Sequence, residues 1–394
     1  LTGEVLAKPT VFKDESPLSI EYVPARLPHR EDQLRFLAQL YRFAVERPGT
    51  MSQRALITGA IGTGKTVLSQ RFGIDLMKSA KSRGIDLRYI HVNCRECKGR
   101  LFLILKRIMG QLMLKFPERG FSSEEILQKI ISFLDNKNVY LLLALDELES
   151  LIKAEGATPL YSLTRLQESR LSAPARLSLI CILRELEFLK RLDMGTLSTL
   201  QHNIIKLEEY SREQLKNILE DRVKLAFKDG AIPQDTIEFI ADLASETGDA
   251  RYAIELLWRS GKYADLRGAD EVSPEDVRKA VESVYPKLRE ENVKALPLHE
   301  KLILLAISRT LSQSRLAYAT MGEIEKAYNI VCEEYGEKSR AHTQIWKYVG
   351  ELEATGIIST RRSSKGLRGK TTLISLPAVP ASAIIKLLES SLKP

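Results

Sequence analysis

Short apolar runs separated by longer amphipathic stretches fill the first half of the chain. Ala55–Thr58, Arg88–Asn93, Val139–Leu145 and Leu177–Leu183 each read as a buried strand, with a weaker fifth at Asn203–Leu207. Between them, helical patterns occupy 65–82, 99–115, 122–135 and 159–170. Apolar strands alternating with helices predict an α/β domain, a parallel sheet with helices on both faces. Ahead of the first strand, Pro28-His29-Arg30-Glu31 opens an amphipathic helix marked by Leu34, Leu37, Leu40 and Tyr41. Residues 1–28, interrupted by Pro9, Pro17, Pro24 and Pro28, read as an extended arm lying on this first domain.

From Ser211 to about Pro286 the strand signal vanishes. Arg212–Phe227, Gln234–Glu246, Ala250–Asp265 and Pro274–Val284 carry helical patterns, which predicts a compact helical domain. From about Leu296, two or three helices precede Ile357-Ile358-Ser359-Thr360, a basic turn, and Thr371-Thr372-Leu373-Ile374-Ser375-Leu376. A helix followed by a β-hairpin suggests a winged helix. The expected divisions are therefore 1–207, 208–290 and 291–394, and a chain of 394 residues is longer than one hydrophobic core usually serves. Pro286 and Pro297 stiffen the ends of the last connection, leaving a hinge possible between them.

Composition narrows the class. No apolar run approaches the roughly 18 residues that span a bilayer, and no signal-peptide pattern opens the sequence, so an intracellular, cytoplasmic protein without a membrane partner is expected. Four cysteines, Cys94, Cys97, Cys181 and Cys332, are too scattered for a disulfide framework. Cys94-Arg95-Glu96-Cys97 lacks the second pair a zinc site wants, and reads as reduced thiols beyond a strand end. The net charge is +8, and from Ala295 onward 14 Lys or Arg stand against 9 Asp or Glu. An anionic partner is best sought at that end.

Residues 59–66 read Gly-Ala-Ile-Gly-Thr-Gly-Lys-Thr, the GxxxxGK[ST] phosphate loop, in the strand-to-helix context that motif needs. Gly59, Ala60, Gly62, Thr63 and Gly64 bring backbone N–H groups to the phosphates of ATP or ADP, at a helix N-terminus that favours negative charge. Lys65 is placed to reach the β and γ phosphates, and Thr66 to put its hydroxyl on Mg²⁺. The run 139–145 ends in Asp146-Glu147. Asp146 would organise the magnesium and Glu147 polarise the attacking water.

The third section offers a nucleic-acid face. Ser339-Arg340-Ala341-His342 can cap a helix running to about Ala354, with Gly356 as its stop. Ile345, Val349 and Leu352 share its buried side, leaving Arg340, Thr343, Gln344 and Lys347 for base edges in a major groove. Trp346 and Tyr348 read as packing residues. The turn 361–370 carries Arg361, Arg362, Lys365, Arg368 and Lys370 and no acid, a cationic finger suited to a backbone or minor groove.

The ordered series Tyr22-Val23-Pro24, Leu27-Pro28-His29-Arg30-Glu31, the phosphate loop, Tyr89-Ile90-His91-Val92-Asn93-Cys94-Arg95, Leu145-Asp146-Glu147, Phe188-Leu189-Lys190-Arg191-Leu192-Asp193 and Gly248-Asp249-Ala250-Arg251 resembles the AAA+ ATPases. It is most similar to the archaeal initiator family related to the largest origin-recognition-complex subunit and its loader partner in the cell-division-cycle series. The resemblance spans nearly the whole chain. It implies an AAA+ P-loop ATPase with a helical lid and a C-terminal winged helix, binding double-stranded origin DNA with other initiator protomers and helping recruit the replicative helicase. It also implies that the segment from Val23 to Arg30 packs on the adenine and that Arg251, in the lid, reaches the γ phosphate. An extra helix over Ser150–Arg170 would bring Lys153, Arg165 and Arg170 to DNA, although ordinary packing explains Leu160, Leu163 and Leu166 equally well.

Two departures qualify the resemblance. Arg184 stands where relatives place a polar sensor, typically asparagine, and Leu192-Asp193-Met194-Gly195 lacks the arginine finger of Leu-Asp-Pro-Arg, unless Arg191 is recruited instead. A finger is worth about 10³ or more in rate in other phosphoryl-transfer systems. ATP and ADP binding with slow turnover is the expectation. The alternative is a diverged paralogue, a nucleotide-switched regulator at promoters or origins.

Overall fold

The computed structural model describes residues 10–112, 120–166, 170, 173–192, 195, 197, 200, 203–284, 293, 295–314, 316–362, 371–377 and 379–392. They divide into two compact units, residues 23–210 and a second made of 1–22 with 211–394.

In the 23–210 unit, α1 (Glu31–Leu40) and α2 (Phe43–Glu46) precede β1 (Arg54–Gly59), α3 (Lys65–Lys81), β2 (Leu87–Asn93), α4 (Leu101–Gln111) and α5 (Ser123–Asn136). Then come β3 (Tyr140–Asp146), α6 (Glu149–Glu155), α7 (Thr158–Thr164), β4 (Leu177–Leu183) and β5 (Ile204–Leu207). The five strands are parallel in the order β2-β3-β4-β1-β5, as their doubly apolar sequences require. Leu56, Val92, Leu143, Leu145 and Cys181 pack with α4 and α5 on one face. Ile57, Ala144, Ile180 and Ile182 pack with Leu37, Leu68 and Phe72 on the other. The strand order interposes β4 between the phosphate-loop strand β1 and the acid-bearing strand β3, so the carboxyl end of β4 lies between the two.

The expected helix over 159–170 ends at Thr164, and the described residues of the interval 150–170 fall into two short helices. They break at Gly156, whose φ of +69° closes α6 in the conformation that glycine favours.

The second unit takes in residues 10–22 of the arm, which pack on the helical section, while 23–28, the rest of the arm expected on the α/β domain, belong to the 23–210 unit. Val11 and Phe12 are buried, the Phe12 ring centroid lies 4.5 Å from that of Phe227, and the N–H of Lys13 donates to Ala226 at 2.9 Å. Gly261 makes the slot, since a Cβ there would fall 2.3 Å from Phe12 Cζ. The helices are α8 (Arg212–Ala226), α9 (Gln234–Ser245), α10 (Ala250–Leu266) and α11 (Pro274–Val284). Ser211 and Gln214 form a reciprocal capping box at the start of α8, and the Asp249 carboxylate caps α10.

The winged helix follows as α12 (Leu298–Ser314), β6 (Ala319–Thr320), α13 (Met321–Glu334), α14 (His342–Ala354), β7 (Ser359–Arg362), β8 (Thr372–Ser375) and α15 (Ala381–Leu392). Its three strands order β6-β8-β7 and pair antiparallel. Side-chain bonds join the helical section to the winged helix. Arg278 on α11, 1% exposed, donates to the carbonyls of Leu376 at 3.0 Å and Ala317 at 3.2 Å. Glu275 accepts from the N–H groups of Ala381 and Ser382 at the start of α15.

Candidate functional site

The phosphate loop is shaped by its glycines. Gly62 and Gly64 hold φ of +75° and +89°, and a Cβ on Gly59 would fall 2.4 Å from the Leu207 carbonyl. Thr63 is fully buried, its hydroxyl donating to the Ala60 carbonyl at 2.9 Å. The Lys65 ammonium donates to the carbonyls of Gly59 and Ala60, each at 2.6 Å, so its charge already lies against the loop.

From the end of β3, Asp146 meets this loop. Its Oδ2 accepts from the Thr66 hydroxyl at 2.6 Å and lies 3.1 Å from His91 Nε2, while Oδ1 accepts the N–H of Glu147 at 2.8 Å. Burial pushes the Asp146 carboxyl up, but the hydrogen bonds from His91, Thr66 and Glu147 outweigh it and hold the group below its ordinary value. The donor set is hard oxygen, as Mg²⁺ prefers, so Thr66 and Asp146 fit the metal that a bound triphosphate would bring.

Glu147 follows with φ of +49°, unusual for a residue with a Cβ. Its Oε1 accepts from Arg184 Nη2 at 3.0 Å, and Arg184 Nε lies 3.5 Å from Oε1 of Glu149. Glu149 is buried, and burial, reinforced by the charges of Glu147 and Asp146 and opposed by Arg184, raises its carboxyl above the ordinary range. Thr58 donates to the Arg184 carbonyl at 3.1 Å, tying the end of β4 to β1.

Arg30, in the segment expected to pack on the adenine, braces the loop. It is 5% exposed, donates to the Thr63 carbonyl at 3.0 Å and the Glu208 carbonyl at 2.8 Å, and lies 3.9 Å from the Tyr210 ring centroid. A buried guanidinium must spend its donors, and three backbone carbonyls, those of Thr63, Glu208 and His29, accept them. Val23 is half-buried at the start of this unit. Arg251 is exposed in the first turn of α10 in the other unit.

Glu149 and Tyr210 have no sequence signal of their own, and His91 stands in the family series without a role. His91 reaches Asp146 because β2 and β3 align Asn93 with Asp146, placing His91 on the same face two residues earlier. All four cysteines are free and buried, and burial raises the thiol of Cys181 to about 12. Among the described residues no group of three or more His, Cys, Asp or Glu is placed to hold a metal ion by itself, and no helix is long and apolar enough to cross a membrane.

In the winged helix, α14 buries Ile345, Val349 and Leu352 and exposes Thr343 and Lys347, with Gln344 half-buried. Its N-cap is Ala341, with no side-chain cap, so Ser339 does not open it. Arg340 is exposed, and its Nε donates to His299 Nε2 at 3.0 Å. Tyr348 packs, its ring stacked on His299 at 6.1 Å. Trp346 does not pack as expected, being 39% exposed with its indole N–H donating to His342 at 2.9 Å.

Arg361 and Arg362 belong to β7 and not to the turn. Arg361 turns away from the expected finger: it donates to Asp242 at 2.8 Å, approaches Glu238 at 3.7 Å, and stacks on Tyr318 at 3.9 Å. Two acids of α9 flank its guanidinium. Arg362 is exposed, and Lys365, Arg368 and Lys370 lie outside the described residues. Lys153 sits over the Phe188 ring at 4.6 Å and Arg165 over that of Tyr161 at 4.9 Å, while Arg170 pairs with Asp135.

Residues 216–282 match the Cdc6 AAA+ ATPase-type lid domain, and 291–385 the CDC6 C-terminal winged helix domain. The ORC1-type DNA replication protein 2 of Sulfurisphaera tokodaii is 36% identical over 390 residues, covering 97% of this chain and 93% of that protein. The crystal structure of Cdc6p from Pyrobaculum aerophilum superposes with a TM-score of 0.84 at 34% identity, over 97% of this chain and 98% of that one. The Aeropyrum pernix ORC1 protein in complex with DNA gives 0.63 at 30% identity, over 97% and 96%. With that likeness running the length of both chains, through phosphate loop, lid and winged helix alike, the chain belongs to the ORC1/Cdc6 family of archaeal DNA replication proteins, built on an AAA+ ATPase core.

Proposed function

We propose that the protein is a replication initiator that binds ATP or ADP with Mg²⁺ at the phosphate loop, hydrolyses ATP slowly, and recognises double-stranded origin DNA through its winged helix. The observation that carries the nucleotide reading is the 2.6 Å bond between Thr66 and Asp146, which brings two oxygen ligands together beside Lys65. In this reading Gly59, Ala60, Gly62, Thr63 and Gly64 cradle the phosphates, Arg251 acts from the lid, and Arg30 supports the loop from beneath. Lys65→Ala is expected to abolish binding of a fluorescent ADP analogue; full binding by that variant would overturn the reading.

The DNA reading is supported by the exposed side of α14 and by a relative whose structure is a complex with DNA. Thr343, Gln344 and Lys347 would face base edges, with Arg340 beside them, while Arg362, Lys365, Arg368 and Lys370 would contact phosphates. Lys153 and Arg165 would supply further phosphate contacts. Replacing those four wing residues by alanine should weaken DNA binding and flatten its salt dependence by about 0.9 in log–log slope per lost contact. An unchanged slope removes the wing from the interface. Other initiator protomers and the replicative helicase are the expected protein partners.

The ion pair between Arg184 and Glu147 favours a second reading, in which nucleotide is a switch and the chain regulates promoters. Genome-wide mapping separates the two. Occupancy at a few loci beside replication starts supports the initiator, and occupancy across many promoters supports the regulator.

A further inference from the structure

In ATP hydrolysis a water oxygen bonds to the γ phosphorus as the bond from that phosphorus to the β–γ bridging oxygen breaks. ADP leaves with the bond's electron pair, and a water proton must be accepted nearby. Glu147 is the carboxylate placed to polarise that water, and to do so it needs a free oxygen and an uncompensated charge. Arg184 Nη2 holds Oε1 at 3.0 Å and sets a positive charge against the carboxylate, so one oxygen is taken and the charge is compensated.

Arg184 is itself anchored. It rises from the end of β4, between β1 and β3, with its backbone carbonyl held by Thr58 and its Nε 3.5 Å from buried Glu149. The second oxygen of Glu149, Oε2, has no hydrogen-bond partner. Withdrawing the guanidinium would leave that buried carboxylate uncompensated, which is costly. Charge therefore keeps Arg184 beside Glu147.

We propose that Arg184 is a restraining residue of the nucleotide site: bridging Glu147 and Glu149, it competes with water for Glu147 and slows hydrolysis of bound ATP. The proposal rests on the nucleotide-binding reading above. It also opposes another use of the same arginine, as a donor that stabilises charge on the transferred phosphoryl group.

Single-turnover hydrolysis of ATP and equilibrium binding of a fluorescent ADP analogue, measured on the full chain with Arg184→Asn, Arg184→Lys, Glu147→Gln and the Arg184→Asn/Glu147→Gln double variant, test it. Arg184→Asn should hydrolyse faster by on the order of tenfold, within the range expected of general-base catalysis, while analogue affinity changes less than about threefold. The gain should vanish in the double variant. Arg184→Lys, which keeps the charge but not the fork that spans two carboxylates, should show a smaller gain and covers the case in which Arg184→Asn does not fold. Equal or slower hydrolysis by folded, nucleotide-binding variants overturns the proposal alone, and slower hydrolysis would mark Arg184 as a phosphate donor. Failure of the unaltered protein to bind nucleotide overturns the underlying reading and this proposal together.

Discussion

Charge and burial decide what single side chains do in this site. Asp146 and Glu149 are both buried acids near the end of β3, yet their carboxyls move in opposite directions. Asp146 collects hydrogen bonds that stabilise its charge; Glu149 meets burial first and the repulsion of Glu147 and Asp146 after it. An acid whose folded value is raised costs stability once pH passes its unfolded value, here 4.5, and costs nothing when both states are protonated. Glu149→Gln is therefore expected to raise the melting temperature by about 2 °C at pH 7, with the difference disappearing below about pH 4. Thermal melts of the two proteins across that range would check it, and a lower melting temperature at pH 7 would show that the pairing with Arg184 outweighs the burial. The acids themselves were legible from sequence, since two carboxylates terminate an apolar run some 80 residues beyond a phosphate loop. Their partners were not, because His91 and Arg184 reach them through strand pairing.

At the level of elements, local chemistry set the boundaries well. The strands begin and end within a residue or two of their apolar runs, and α8 starts where Ser211 and Gln214 can cap each other. The misreadings fall where a contact distant in sequence overrides the local pattern. The proline-interrupted arm has no periodicity to say which domain it covers, and its seat is cut by a glycine 249 positions further on, at Gly261 against Phe12. Gly261→Val is expected to expel the Phe12 ring, which would appear as faster proteolysis within 10–22 with the helical unit otherwise folded. Trp346 was assigned to packing by residue type, but the apolar face of α14 is already filled by Ile345, Val349 and Leu352. The indole is left at the surface beside His342, on the helix proposed to face DNA.

For the whole molecule, the bonds that join helical section and winged helix matter most. Arg278 is buried with two carbonyl acceptors from the winged helix, and Glu275 caps α15, so the two sections present themselves as one body. Arg361 adds a surface link, pairing the base of the wing with Asp242 and Glu238. Removing Arg278 would leave buried carbonyls unsatisfied. Arg278→Ala is accordingly expected to cost about 3 kcal/mol in chemical denaturation, in keeping with the loss of one partner from a buried charged network. Separation of one unfolding transition into two would show that the sections had come apart.

Motif and periodicity were sufficient for the phosphate loop, the acidic strand end, the helical section and the winged helix, because each is specified by residues a few positions apart. Steric freedom at glycine, burial of apolar strands and spacing on one helix face act locally and can be read along the chain. Tertiary structure alone decided that β4 lies between β1 and β3, and therefore that Arg184 reaches Glu147. It also decided that Arg30 supports the phosphate loop, that residues 10–22 of the arm belong to the helical unit, and that Arg361 is held by α9. Each of these depends on which distant segments a buried or charged side chain finds as partners, and that choice is made by strand order and packing, which no local spacing encodes.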